Sequence, residues 1–273
     1  MTNRQKAILR RNLFLSFCVL VLILFIVLVV FIISAVTGDK GDDVSSQQSE
    51  ISSSEITSSE DASSEETPSG PEMVQLGEYT VDANFQNLLL VNGSNPLPED
   101  YDYEGNLTEI PQKYIKGSLT KIDKDVWPYL QAMLDAALSE GIDIGVWSPY
   151  RSYDTQKMLF NRQVNKQITN GVPEAEAEEK AATVVARPGT SEHHTGLALD
   201  INCANDSFET TKAFSWLQEN AENYGFIMRY SEEKQEKTGV IHESWHWRFV
   251  GINTAKEINR LGMCLEEYIE YKS

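Results

Sequence analysis

Hydrophobic and polar positions divide the chain into three unlike stretches. Residues 13–33, LFLSFCVLVLILFIVLVVFII, run for 21 positions without a charge. As a helix at ~1.5 Å per residue they extend roughly 30 Å, the hydrocarbon thickness of a bilayer. The run therefore predicts a transmembrane anchor over residues 13–36. A cleaved secretion signal, with SAVTGD (34–39) as its cleavage region, is the alternative; such signals usually have a shorter apolar core, so an uncleaved anchor is expected. Residues 37–72 are dominated by Ser, Glu and Asp. They carry too little apolar surface to offset chain entropy, and like charges extend them, so they read as a disordered linker.

From residue 73 onward the pattern becomes that of a globular domain, 73–273. NFQNLLLVNGSNPLPEDY (84–101) reads as a short strand running into a Pro-rich extended segment. In residues 123–141, Trp127, Leu130, Leu134 and Leu138 recur near helical spacing, with Gly141 as a stop. IDIGVW (142–147) alternates like a strand. Ser152 caps a predicted helix reaching about residue 169, and 173–186 forms another. LALDIN (197–202) is a predicted strand and 207–225 a predicted helix with Phe214, Leu217 and Ala221 inward. FIMRY and HWRFVG are strands flanking the charged loop SEEKQEKTG, and two helices, 253–262 and 264–271, close the chain. Helices and strands mix without strict βαβ alternation, so the expected class is α+β.

Charge adds a direction. Arg4, Lys6, Arg10 and Arg11 precede the apolar run with no acid among them, and acidic residues follow it. That asymmetry places residues 1–12 in the cytoplasm and the domain outside the cell membrane. A net charge of −18 argues against nucleic acid as a partner. The three cysteines are Cys18, inside the apolar run, Cys203 and Cys264. Two external cysteines make no disulfide framework; one Cys203–Cys264 bridge is possible, and two buried thiols are the favoured reading.

All four histidines fall in two pairs, each beside a carboxylate: His193 and His194 in SEHHTGLALD, His242 and His246 in IHESWHW. Such clustering points to a metal site. On a LALDIN strand, Leu197, Leu199 and Ile201 share one face and Ala198, Asp200 and Asn202 the other, so Asp200 points away from the core. Gly196 lets the backbone turn between histidine and strand. The second pair spells H-E-x-x-H, which in zinc peptidases binds metal through both histidines when it is helical. The surrounding residues are β-branched and aromatic, and alternation in HWRFV sets His246 and Arg248 on one face and Trp247 and Phe249 on the other. A strand entered at His246, with Glu243 in the bend before it, is therefore expected instead.

These segments resemble a known family. SEHHTGLALDI resembles the S-x-H-x-x-G-x-A-x-D motif of VanY-type D-alanyl-D-alanine carboxypeptidases. ESWHWRFVG resembles their E-x-W-H element, and SPYRSYDTQ (148–156) their S-x-Y-R-S-x-x-x-Q segment. LLLVNGSNPLPEDY resembles the segment that usually precedes these, so the likeness runs from about residue 84 to 271 with its motifs in order. The wider group includes lysostaphin-like endopeptidases and the Hedgehog signalling domain. The resemblance implies a zinc core built on a small antiparallel sheet flanked by helices. It implies one Zn2+ held by His193, Asp200 and His246, with Glu243 as general base. His242 is then a bystander, and His194 has no assigned role. Arg151 is implied as oxyanion stabiliser or clamp for the substrate carboxylate, acting on substrate rather than metal. Gln156 and Ser191 are implied at the substrate's C-terminal end, and Trp245 in the pocket wall. The implied activity is removal of the terminal D-alanine from peptidoglycan stem peptides. An L,D-carboxypeptidase acting on tetrapeptide stems, a cross-bridge endopeptidase and a wall-binding module with a structural zinc are the alternatives; Glu243 argues against the last.

Overall fold

A computed structural model describes residues 70–98, 100, 101 and 104–273. The expected cytoplasmic end, anchor and nearly all of the linker lie outside the described residues; among those described, no helix is long and apolar enough to cross a membrane.

The centre is a four-stranded antiparallel sheet in the order β5 (Val146–Ser148), β6 (Ala198–Ile201), β8 (Glu243–Phe249), β7 (Phe226–Tyr230). Two outlying antiparallel pairs precede it: β1 (Met73–Leu76) with β2 (Tyr79–Asp82), and β3 (Leu107–Glu109) with β4 (Lys121–Asp123). The helices are α1 (Trp127–Ser139), α2 (Tyr153–Thr169), α3 (Glu174–Ala182), α4 (Lys212–Asn220), the single turn α5 (Gln235–Thr238), α6 (Ile252–Leu261) and α7 (Leu265–Lys272).

Alternation on the two central strands sends Leu197, Leu199 and Ile201 with Trp247 and Phe249 into the main core, against Leu130, Met133 and Leu134 of α1 and Phe214 and Leu217 of α4. A second cluster forms where Ile227 and Val250 meet Ala255 and Ile258 of α6 and Leu265 and Tyr268 of α7. Burying each Val, Leu, Ile, Phe or Met among these contributes about 1.5–3 kcal/mol, so the sheet is fixed from both sides. Ser152 caps α2 as expected, its hydroxyl accepting the Thr155 N–H at 3.2 Å.

Several expectations need correction. In α1 the buried stripe is Leu130, Met133, Leu134 and Ala137, while Leu138 is 42% exposed. The described residues of segment 84–101 form no strand, only an isolated Asn92–Asn95 bridge. The Asn87 and Leu89 carbonyls are taken by the Arg248 guanidinium, and the Asn92 side chain closes a turn by accepting the Ser94 and Asn95 N–H groups. The strand expected over 142–147 begins only at Val146, because the Asn202 side chain, on a left-handed backbone (φ 62°), takes the Gly145 N–H. The helix expected over 207–225 is broken into pieces, since the Asn205 and Thr211 side chains each start a separate helix. The charged loop after β7 carries two short helical turns, 232–234 and α5. Cys203 and Cys264 form no bridge, and only Cys264 is fully buried.

Candidate metal centre

His193 rides a short 3-10 turn, Glu192–Thr195, that closes at Gly196 with φ 69°. A side chain there would meet the Asp123 backbone nitrogen at 2.7 Å, so the close turn requires glycine. Two residues later the chain enters β6, where Asp200 stands directly across the ladder from His246 of β8. One atom from each of His193, Asp200 and His246 lies within 4.8 Å of the other two, and all three residues are buried. His193 Nε2 and His246 Nδ1 each sit 3.4 Å from Asp200 Oδ1. The other ring nitrogens are engaged outward: His193 Nδ1 donates to the Pro149 carbonyl at 2.8 Å, and His246 Nε2 faces Glu192 Oε2 at 3.4 Å.

Glu243 is the first residue of β8 rather than part of a bend before it. Three residues, Ser244 to His246, stand opposite the single Arg229 of β7, between the Tyr230–Glu243 and Met228–Trp247 pairs. Positions three apart on a regular strand face opposite sides. This bulge breaks the alternation and brings Glu243 Oε2 to 3.6 Å from His246 Nδ1.

The electrostatics suit a cation. Asp200 Oδ1 is buried without a hydrogen-bond donor, a costly state for a carboxylate unless a positive ion meets it. Burial opposes its ionisation, yet the His193 imidazole and the Arg151 guanidinium hold the Asp200 carboxyl well below the usual range. Burial, with the Arg151 charge, lowers His193 to about 4, leaving a neutral imidazole. Burial also disfavours a charged His246, but Asp200, Glu192 and Glu243 overcome it and raise this histidine to about 9. Three carboxylates around one imidazole thus call for positive charge, which a divalent ion supplies in place of a proton. Burial pushes Glu243 up to about 7, the range of a general base at neutral pH.

The remaining predicted residues are distributed around this group. Arg151 does not stand apart from the ligands: its Nη2 donates to Asp200 Oδ2 at 2.5 Å, and its Nε to Ser148 Oγ at 2.8 Å. Gln156 is fully buried, donating to the Ala186 carbonyl at 2.7 Å and accepting from Arg151 Nη1 at 3.4 Å, so it steadies Arg151. Ser191 is buried immediately before the His193 turn, and Trp245 is half-buried against the main core beside Glu243 and His246. His242 lies outside the group. Its Nδ1 donates to the Tyr230 carbonyl at 3.0 Å, and its Nε2 points toward Glu209, 3.8 Å away. His194 ties together two loops at the site, with Nδ1 donating to the Arg151 carbonyl at 2.8 Å and Nε2 accepting the Gly189 N–H at 3.1 Å.

Sequence reasoning passed over Glu192, Arg229 and Tyr230. Glu192 is buried between Arg229 and Arg248, and the Tyr230 ring lies 4.9 Å from that of His246. A guanidinium inside an apolar strand, FIMRY or HWRFV, was the available signal, since arginine is rarely buried without a partner.

Comparison with known proteins agrees with this geometry. The family model "VanY: D-alanyl-D-alanine carboxypeptidase" matches residues 119–252, which include every residue of the group. A D-alanyl-D-alanine carboxypeptidase of Enterococcus faecalis is 41% identical over 183 residues, 67% of this chain and 65% of that protein. YodJ of Bacillus subtilis is 39% identical and aligns over 68% of each chain. The chain spans about two thirds of these relatives' length. Among solved structures, VanYB in complex with D-alanine-D-alanine is 41% identical, with a TM-score of 0.60, covering 68% of this chain and 98% of that one. A VanY D,D-pentapeptidase in complex with Zn(II) is 42% identical at a TM-score of 0.58, covering 67% and 98%. The LdcB LD-carboxypeptidase is 36% identical at 0.58, covering 73% and 94%. The chain belongs to the VanY family of D-alanyl-D-alanine carboxypeptidases.

Proposed function

We propose that this chain is a zinc-dependent D,D-carboxypeptidase that removes the C-terminal D-alanine from peptidoglycan stem peptides. The observation that carries this reading is the convergence of His193, Asp200 and His246 on one point, with Glu243 beside it and Arg151 behind. Zinc held by these three ligands keeps an open position, where it acidifies water and polarises the scissile carbonyl. Glu243 takes the water's proton on its carboxylate and later delivers it to the leaving amine. Burial keeps that carboxylate basic enough for the first transfer and acidic enough for the second. Arg151 orients Asp200 through one nitrogen, and its side chain, 14% exposed, offers positive charge to the substrate carboxylate or the developing oxyanion. Gln156 and His194 hold Arg151 through its side chain and its carbonyl; Ser191 and Trp245 border the ligands where a peptide terminus would lie.

The domain works at the outer face of the cell membrane, carried by the apolar span 13–36 with residues 1–12 inside and 37–72 as spacer. The charge asymmetry across the span supports this placement. Protease added to intact protoplasts should release a fragment the size of residues 73–273, and a protected C-terminus would contradict the orientation.

A second reading, removal of the last D-alanine from tetrapeptide stems, draws support from the likeness to the LdcB LD-carboxypeptidase. Mass spectrometry of penta- and tetrapeptide stems incubated with the zinc-loaded chain separates the two. Loss of one alanine from the pentapeptide alone is expected. Cleavage of the tetrapeptide alone would establish the second reading, and no cleavage of either would contradict both.

A further inference from the structure

The geometry points to Glu192 as a positioning residue that fixes His246 in the tautomer ligating through Nδ1, acting from within a buried, charge-balanced set of two guanidiniums and two carboxylates. The inference rests on the zinc-ligand reading above and deepens it.

Glu192 is fully buried. Its Oε1 accepts from Arg229 Nε and Arg248 Nη1, both at 2.8 Å. Neither arginine can turn away. Arg229 also grips Glu266 of α7 with both terminal nitrogens, at 2.8 and 2.6 Å, and Arg248 donates to the carbonyls of Leu89 at 2.9 Å and Phe249 at 3.0 Å. With Oε1 held by two guanidiniums, the carboxylate plane is fixed and Oε2 faces His246 Nε2 at 3.4 Å. With the metal on Nδ1, the atom facing Asp200, the imidazole keeps its single proton on Nε2, where the Glu192 carboxylate, which only accepts, holds it. His193 is set the opposite way by the Pro149 carbonyl and offers Nε2. The two histidine ligands are thus held in opposite tautomers by unlike acceptors, one backbone and one ionic. Outer partners of this kind orient metal-binding imidazoles and raise their basicity.

Charge completes the argument. Two arginines and two glutamates sum to zero. Of the two carboxylates only Glu192 meets a metal ligand, so its charge acts on the metal through His246, whereas Glu266 holds Arg229. Glu266 and the Leu89 carbonyl lie outside residues 119–252, so the C-terminal helix and the leading segment reach the metal ligand through this set.

The test measures zinc affinity of the whole purified chain by competition with a chromophoric chelator, alongside melting of the metal-free protein. Glu192→Gln should bind zinc about 10- to 100-fold more weakly than wild type. Glu266→Gln removes the same charge from the same set without touching His246. It should lower the melting temperature as much, yet keep an affinity much closer to wild type. Equal weakening by both variants, or wild-type affinity in Glu192→Gln, would overturn the positioning role. Nitrogen NMR of zinc-loaded wild type with 15N-labelled histidine needs no folded variant at Glu192. His246 should carry its proton on Nε2 with a metal-shifted Nδ1; a proton on Nδ1 would overturn the inference. A wild-type chain that takes up no zinc would instead overturn the ligand set itself.

Discussion

The two faces of the β6–β8 ladder are equally buried and opposite in chemistry. One presents Leu197, Leu199, Ile201, Trp247 and Phe249 to the helices of the main core. The other presents Asp200, His246 and Arg248, each at most 4% exposed. The apolar face is stabilised by removal from water and tolerates any partner of suitable shape. The polar face is stable because its buried charges have designated partners, Arg151 for Asp200 and Glu192 for Arg248, with Glu266 holding the neighbouring Arg229 of β7. One strand pair thereby serves as both foundation and reaction floor, and damage to either face should read out differently.

The largest expected effect lies on the polar face. Glu243→Gln keeps the shape and all three ligands but removes the base, so turnover should fall by about 10²–10⁴-fold with zinc content unchanged. Kinetics paired with elemental analysis check this; loss of zinc in that variant would make Glu243 a ligand. Next is the apolar face. Leu199→Ala should cost about 2–5 kcal/mol of stability in a denaturant titration, while the remaining folded fraction keeps its zinc and its KM. A change of KM without loss of stability would show that the two faces are not separable.

How far the two faces were legible follows the same division. Alternation in LALDIN and HWRFV is a local property, and it correctly sorted the apolar core positions from the polar ones on both strands. The Ser152 cap and the glycine before β6 were likewise local signals. The bulge at Ser244–His246 was not legible, because it is defined by its pairing with β7 rather than by its own residues. Glu192 escaped notice because its partners come from β7 and β8, up to 56 residues away, and nothing near SEHH announces them. Gln156 was expected to meet substrate; its depth depends on the Ala186 loop closing over the start of α2.

A smaller effect concerns pH. Glu243 acts as a base only when ionised. Burial places it at about 7 in the metal-free chain, and a bound divalent ion lowers that value. The acid limb of kcat/KM should therefore fall about tenfold per pH unit from a midpoint below neutrality. A rate that rises as pH falls would contradict the role. The smallest effect is expected at His242, whose Nδ1 bond to the Tyr230 carbonyl lies outside the ligand group. His242→Ala should change stability by roughly 0.5 kcal/mol or less in the same titration.

The most direct test is zinc content per chain in His242→Ala compared with Asp200→Ala. The sheet geometry requires His242→Ala to retain about one zinc and Asp200→Ala to retain none. Loss of zinc from His242→Ala together with retention in Asp200→Ala would contradict the ligand set and make His242 and His246 the ligand pair.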